Sequence, residues 1–394
     1  FQIYLRLRPI PQAVGIYTIG RQFSWQDAWY WPHRLDKVNF PGGELLIDSV
    51  RRYADTLQRH CPEGQVENEA FCRKTWHGVV MEPLAYRDTV ERMLKETGRC
   101  EVRTGSRFQS VDAADGRIRS AALTDGSIVE AGAWVDATAN VDLCVACGCA
   151  TMQGMESREA FGEPDAPEEP LPIVNGVTLF YRITPTAAAA VEPLPPGVPV
   201  ACWWASHFPP MSCVQFPCGD RSCNMLPSME GVEYLRLGEE AARAECERRA
   251  RAHWHFVQTH FPEFQRFRIR ELAPMMGVRE TRRVVGEYVL NENDLVAGIG
   301  RQTHVDIVAL ADHAMDRHGQ GGACPGLKSP YGIPYRCLIP RGFQNLLVAC
   351  RGASFSSIAA TSCRLTRTMM QMGQAAGTAA ALARELGVAL PEVP

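Results

Sequence analysis

The stretch NLLVACRGAS, Asn345–Ser354, decides the fold. Leu346, Leu347, Val348 and Ala349 are apolar without alternation, which is the pattern of a strand buried on both faces in a parallel sheet. A small-residue turn at Arg351–Gly352 then stands at the carboxyl end of that strand, where open α/β sheets bind ligands. The segment TRTMMQMGQAAGTAAALARELG follows and reads as a helix. Its Gly373, Ala376, Gly377 and Ala380 fall at i, i+3, i+4 and i+7, a face of tiny residues that permits close approach to a sheet or a cofactor. The region from Met370 to Gln374 is expected to be the start of that helix, offering free N–H groups and a positive dipole to an anionic or electron-rich ligand. Plain helix packing without a ligand is the competing reading.

A second apolar strand ends at Val135, in AGAWVDATANVDLCVACGCA, and leads into a turn and a short helix. Upstream of it the pattern alternates and is cut by ADG and TDGS, the turn signals of a small antiparallel meander. Helical spacing is expected around Leu45–Leu57 and again in EPLAYRDTVERMLKETG, stopping at Gly98. The acidic, proline-rich EAFGEPDAPEEPLP marks a boundary near residue 170. Beyond it, VNGVTLFYRI, VPVACWWAS, SCVQFPC and FRIREL read as strands, and a long amphipathic helix runs from about Gly238 to His260. Trp203, Trp204, Phe208 and Trp254 are read as core rather than as a ligand platform.

The chain has 394 residues, 46% hydrophobic and 22% charged, which suits a globular protein of two domains or of one domain with another inserted. A net charge of -3 without a basic stripe argues against nucleic acid as a partner. No run of eighteen apolar residues is present, so no membrane span is expected, and no signal peptide is visible. Fifteen cysteines scattered over a long chain point to free thiols in a reducing cytoplasm.

Three blocks carry a resemblance: PMMGVRETRRVVGEYVL (274–290), SPYGIPYRCLIPRGFQNLLVACRGAS (329–354) and MGQAAGTAAALA (372–383). With the Val135 strand and turn, they resemble the FAD-dependent oxidoreductases of the FAD_oxidored type, over roughly residues 80–386. These are related to the flavin subunit of heterodisulfide reductases. The resemblance implies an α/β fold, a glutathione-reductase-like FAD-binding domain with an inserted α+β substrate domain. The expected division is 1–170 and 336–394 for the FAD domain and 171–335 for the substrate domain. It also implies FAD as cofactor, a small-molecule substrate and a possible redox partner protein.

Residue by residue, the resemblance puts Asp136, Ala137 and Thr138 beside the FAD phosphate and ribose. Arg351 and Gly352 fall near the ribityl–pyrophosphate. Gly373, Gln374, Ala375 and Ala376 match the helix start facing the isoalloxazine ring. Arg279 and Arg282 match a block that holds an anionic substrate or the cofactor, against the alternative of a salt-bridged helix face. For proton transfer, His304 beside Asp306 is one candidate, since an imidazole next to a carboxylate titrates near neutral pH. Tyr335 and Arg336, with Tyr331, form a second, as proton donor and carboxylate clamp. The plainer reading of that segment is a rigid turn fixed by Pro330 and Pro334.

The sequence departs from the family in two ways. No G-x-G-x-x-G turn is present, since AVGIYTIGRQ spaces its glycines as G-x-x-x-x-G, so the FAD domain reads as incomplete at its N-terminal side. Ala139 and Cys350 stand where the family has glycine. Two other classes stay open: an iron–sulfur electron-transfer subunit, and an inactive fragment without FAD. Cys144, Cys147 and Cys149 supply three of the four thiolates a cluster needs, but read better as small buried hydrophobes, and no metal ligand is assigned. Cys213, Cys218 and Cys223 recur every five residues; the C-x-x-x-x-C spacing of the first two suits a redox disulfide, though CVQFPC also reads as a plain strand.

Overall fold

The computed structural model describes residues 6–7, 83–205, 209, 211–216, 218–319 and 324–394. The helix expected around Leu45–Leu57, the segment AVGIYTIGRQ and Phe208 lie outside the described residues. The Leu346–Val348 strand pairs in parallel with Trp134–Asp136, matching Leu346 to Trp134 and Val348 to Asp136. All three residues of Leu346–Val348 are fully buried, as an unbroken apolar run requires. They share one core with Ile118, Phe355, Met372 and Ala376.

The meander is Phe108–Ala114, Arg117–Leu123 and Ile128–Glu130, paired in that order. Asp115 and Gly116 at its first turn both have positive φ, 52° and 69°, the hairpin geometry that ADG signals. One side chain joins the meander to the parallel pair. The buried Asn345 accepts from Ile118 N at 2.9 Å and donates to Ile118 O at 2.8 Å, while its own carbonyl accepts from Trp134 N at 2.8 Å.

A second sheet has the order Phe267–Leu272, Tyr181–Pro185, Arg221–Met225, Met211–Gln215, all antiparallel. The helix Glu239–His260 covers it, packing Ala250, Trp254 and Val257 on Tyr181, Ile183 and Cys223. Gly238, at φ 78°, separates this helix from a shorter one, Gly231–Leu237. The expected strand in VPVACWWAS is absent: residues 201–205 form turns. Pro195, Pro196 and Pro199 remove ladder donors just ahead of it, and Trp203 turns onto the helix instead, donating to Glu245 at 3.2 Å under Arg248. The helix Pro83–Glu96 stops before Gly98, which is left-handed at φ 61°.

The C-terminal helix runs Thr366–Leu386. It lies beside the strand Ile307–Ala311, where Gln371 accepts from Leu310 N at 3.0 Å and donates to Leu310 O at 3.2 Å. Gly373, Ala376 and Gly377 are buried, so the small-residue face is a packing face. No helix among the described residues is long and apolar enough to cross a membrane.

Replacing Asn345 by Leu leaves both Ile118 backbone groups buried and unpaired. We expect a loss of about 2–5 kcal/mol in urea denaturation, with an unchanged slope. A change below about 0.5 kcal/mol would show that Asn345 is not the joint between the two sheets.

Candidate functional site

The turn leaving Trp134–Asp136 is built by a single carboxylate. Fully buried Asp136 accepts from Thr138 N at 2.8 Å and Thr138 Oγ1 at 2.7 Å on one oxygen, and from Cys144 N at 2.9 Å on the other. Thr138 Oγ1 accepts in turn from Asp142 N at 2.7 Å. These amides open the short helix Asp142–Ala146, whose N-cap residue, Val141, has no side chain able to accept them. Ala139 and Val141 are left-handed, at φ 69° and 52°. Ala139 therefore takes a backbone conformation that glycine adopts more readily. Its strain of about 1–2 kcal/mol is offset by a buried methyl worth about 0.8 and by the extra unfolded-state entropy, about 0.4–1, that glycine would carry.

Gly352 closes on this turn. A Cβ there would lie 2.6 Å from Val141 Cγ1, 3.1 Å from the Arg282 carbonyl and 3.3 Å from that of Ala139. Arg351 beside it is buried and donates to Asn140 Oδ1 at 2.8 Å and to Thr281 Oγ1 at 3.3 Å. Thr281 completes the triangle by donating to the same Asn140 oxygen at 2.9 Å. The parallel strand pair thus delivers the turn after Asp136, the turn after Val348 and the Arg279–Arg283 segment to one place.

Charge accumulates there. Arg279 is 3% exposed and spends one nitrogen, Nη1, on the Gly176 carbonyl at 2.7 Å and Thr178 Oγ1 at 2.8 Å. Its Nε and Nη2, and Nε of Arg351, are buried without a hydrogen-bond partner among the described residues. Burial, reinforced by the nearby Arg364 cation, pushes the Arg279 guanidinium down to about 9. Burial likewise lowers Arg351. An anion seated on the open nitrogens would relieve that penalty, and a guanidinium is the side chain shaped for planar or phosphate oxygens.

Acidic groups nearby are already engaged. Glu280 accepts from Asn175 N at 3.0 Å, Asn175 Nδ2 at 2.7 Å and Ser357 Oγ at 2.9 Å, and pairs with Arg283 at 3.3 Å. Arg283 also holds Glu156 at 2.9 Å. Asp316 pairs with His318 at 2.6 Å and with Arg364 at 3.6 Å. Burial opposes ionisation of Asp316, yet the His318 hydrogen bond and the surrounding cations hold it down to about 2. His318 itself is lowered by burial, against the pull of Asp316.

The expected catalytic residues sit elsewhere. His304 and Asp306 are not a pair. On an extended segment, residues two apart share a direction only if the backbone is regular. Here His304 turns to Asp294 at 3.1 Å and lies edge-on to Tyr288, while Asp306 takes a bidentate contact from Arg336 at 3.0 and 2.9 Å. Asp294 belongs to the capping box of the helix Glu292–Ala297, so the His304 contact braces a helix start. The Tyr335 hydroxyl is buried and donates to the Leu390 carbonyl at 2.9 Å, and burial raises its pKa. Tyr331 donates to Ser362 at 2.7 Å.

The helix-start expectation is also corrected. Gly373, Gln374, Ala375 and Ala376 lie within Thr366–Leu386, past its first turn, where N–H groups are taken by carbonyls four residues back. Their dipole end is at Thr366. Arg282 is a partly exposed ion pair with Asp142 at 2.9 Å.

Thr281, Asn175, Asp316 and His318 were not singled out by sequence, although Thr281 and the buried Arg283 lie inside the arginine-rich block already noticed; Asn140 closes the turn expected to touch the cofactor. Of the three clustered cysteines, Cys144 is buried and burial drives Cys147 up to about 12. Among the described residues no three His, Cys, Asp or Glu side chains are grouped to hold a metal ion.

Two outcomes follow from this geometry. Gly352→Ala should lower stability by about 1–3 kcal/mol through overpacking against Val141, read from the thermal midpoint. Asp316, depressed from 3.8 to about 2, contributes stability above the unfolded value that is lost as pH falls from about 4 to about 2. The stability gap between the natural chain and Asp316→Asn should therefore shrink across that range, by up to about 2 kcal/mol. A gap that stays constant from pH 6 to pH 2 would show that Asp316 is not held ionised by its neighbours.

Three solved structures are similar to the chain at low identity. L-proline dehydrogenase from P. horikoshii is 11% identical at a TM-score of 0.35, covering 80% of this chain and 58% of its own. L-amino acid deaminase from Proteus myxofaciens, solved with anthranilate, is 12% identical at 0.31, covering 78% and 57%. Iminodiacetate oxidase from a Chelativorans species is 12% identical at 0.31, covering 86% and 68%. The chain thus spans somewhat over half the length of the first two, and likeness at these values says nothing about its substrate. No curated protein matches the chain. The family described as FAD dependent oxidoreductase matches residues 41–394, the segment that carries both turns and the buried arginines, and the chain belongs to that family.

Proposed function

We propose that this chain is a flavoenzyme that moves a hydride or electrons between a small organic molecule and a separate acceptor. The carrying observation is a pair of buried arginines with unpartnered nitrogens: Arg351 at the carboxyl end of the Leu346–Val348 strand, and Arg279 two residues ahead of Thr281, which Arg351 contacts. Bound FAD would supply the redox chemistry, accepting two electrons and a proton from the substrate. The donor set fits that group: guanidinium N–H donors in a water-poor setting suit phosphate oxygens or the electron-rich edge of a flavin.

In this reading Arg279 and Arg351 bind and orient the cofactor's anionic part, and Thr281 and Asn140 hold the Arg351 guanidinium in its plane. Asp136 and Thr138 set the turn that places Asn140. Ala137 and Gly352 let the chain pass closely at the same spot. Of Gly373, Gln374, Ala375 and Ala376, the buried Gly373 and Ala376 back the site from inside the last helix, and none of the four lies at its positive end. His304, Tyr335 and Arg336 are read as structural, because each has its polar atoms engaged away from the arginines.

The fold division belongs to the same proposal. Segments 1–170 and 336–394 form a glutathione-reductase-like FAD domain, and 171–335 an inserted substrate domain. The parallel pair joining residues 134–136 to 346–348, with an antiparallel sheet and covering helix between them in sequence, supports this division.

The test is a visible absorption spectrum of the full chain after incubation with FAD and removal of the unbound cofactor. We expect a retained flavin spectrum, and at least a tenfold weaker FAD affinity in Arg279→Met and in Arg351→Met, since a lost charge-assisted contact is worth about 1.5–3 kcal/mol. Natural chain that retains no flavin, or variants that bind FAD as tightly as the natural chain, would overturn the reading.

A further inference from the structure

The cysteines spaced five apart resolve differently from their sequence pattern. Cys213 and Cys223, not Cys213 and Cys218, face each other. The strands Met211–Gln215 and Arg221–Met225 pair with Cys213 directly opposite Cys223, and the two sulfurs are 3.3 Å apart. Directly opposed residues in an antiparallel pair have Cα atoms about 4.5–5.5 Å apart, inside the range a disulfide accepts. The two thiols are unequal in access: Cys223 is fully buried, whereas Cys213 is partly exposed.

We propose that Cys213 and Cys223 are a reversible redox dithiol, oxidised by a hydroperoxide to a cross-strand disulfide. The Cys213 thiolate attacks hydrogen peroxide, breaks its O–O bond and becomes a sulfenic acid, and the departing hydroxide takes up the proton the thiol had lost and leaves as water. The Cys223 thiol then attacks that sulfur, the S–O bond breaks, and a second water leaves with the proton of Cys223. One peroxide is reduced to two waters as two thiols lose two electrons. A small-molecule dithiol reverses the step by exchange.

The local chemistry favours this order of events. The hydrogen bond from Cys223, with Arg221 nearby, lowers the Cys213 pKa against the effect of burial, so the accessible sulfur is also the more acidic. Burial raises Cys223, which keeps it a thiol until its partner is activated. The consequence is mechanical. Met211–Gln215 is the edge strand of its sheet and, among the described residues, its only strand partner is Arg221–Met225, so the new bond locks its register.

The test treats the full-length chain with hydrogen peroxide, blocks free thiols by alkylation, and digests with trypsin and chymotrypsin. Cuts after Trp204 and Arg221 separate Cys202 and Cys223 from the peptide that carries Cys213 and Cys218, and backbone fragmentation between Val214 and Pro217 in the mass spectrometer tells those two apart. The expected product is a Cys213–Cys223 linked peptide, two hydrogens lighter than the reduced pair, that disappears with dithiothreitol. In Cys223→Ser, the sulfenic acid at Cys213 should persist and be trapped by dimedone. A link to Cys218 or Cys202 instead, irreversible sulfonate at Cys213 with Cys223 still a thiol, or no reaction of either, would overturn the proposal.

Discussion

Parallel pairing of Leu346–Val348 with Trp134–Asp136 is the constraint on which the rest of the molecule depends. Each strand ends in a sharp turn, and pairing in register puts the two turns side by side. Gly352 then presses on Val141 and Ala139, and Arg351 reaches Asn140. A slip of one residue would turn buried Asp136 out of its turn and bring a side chain into the space that Gly352 keeps clear. Asn345 guards against such a slip by tying the base of the pair to Ile118.

The second organising fact is the burial of cations. A folded chain places guanidinium groups in its interior only when their charge is paired or when a ligand completes them. Arg283 is of the first kind, held between Glu156 and Glu280. Arg279 has carbonyl and hydroxyl acceptors on one nitrogen and none on the others among the described residues. Two arginines four positions apart in one block thus differ in whether carboxylates balance their charge.

Sequence reading failed where side chains choose between partners. His304 stands two residues from Asp306, yet their contacts go to Asp294 and Arg336. SCVQFPC reads as a strand and is one through Gln215, but only strand register shows that Cys213 faces Cys223. The segment read as a helix from Thr366 does begin there, but its positive end was placed near Met370, a turn too late; Leu365 is its N-cap and offers no side-chain acceptor to mark the start. VPVACWWAS has strand composition, but its aromatic pair gains more by packing on the helix Glu239–His260.

By itself the sequence determined the elements and their class: the apolar run of a buried parallel strand, the meander turns at ADG and TDGS, the long helix, and blocks that mark a flavin-dependent family. These are local patterns, set by backbone preferences and by the period of apolar residues. Tertiary structure alone decided which arginine is paired and which is open, and which cysteine faces which. It also decided that Asp136 spends its carboxylate on its own turn. Those outcomes depend on distances between segments far apart in the chain, and no local preference encodes them.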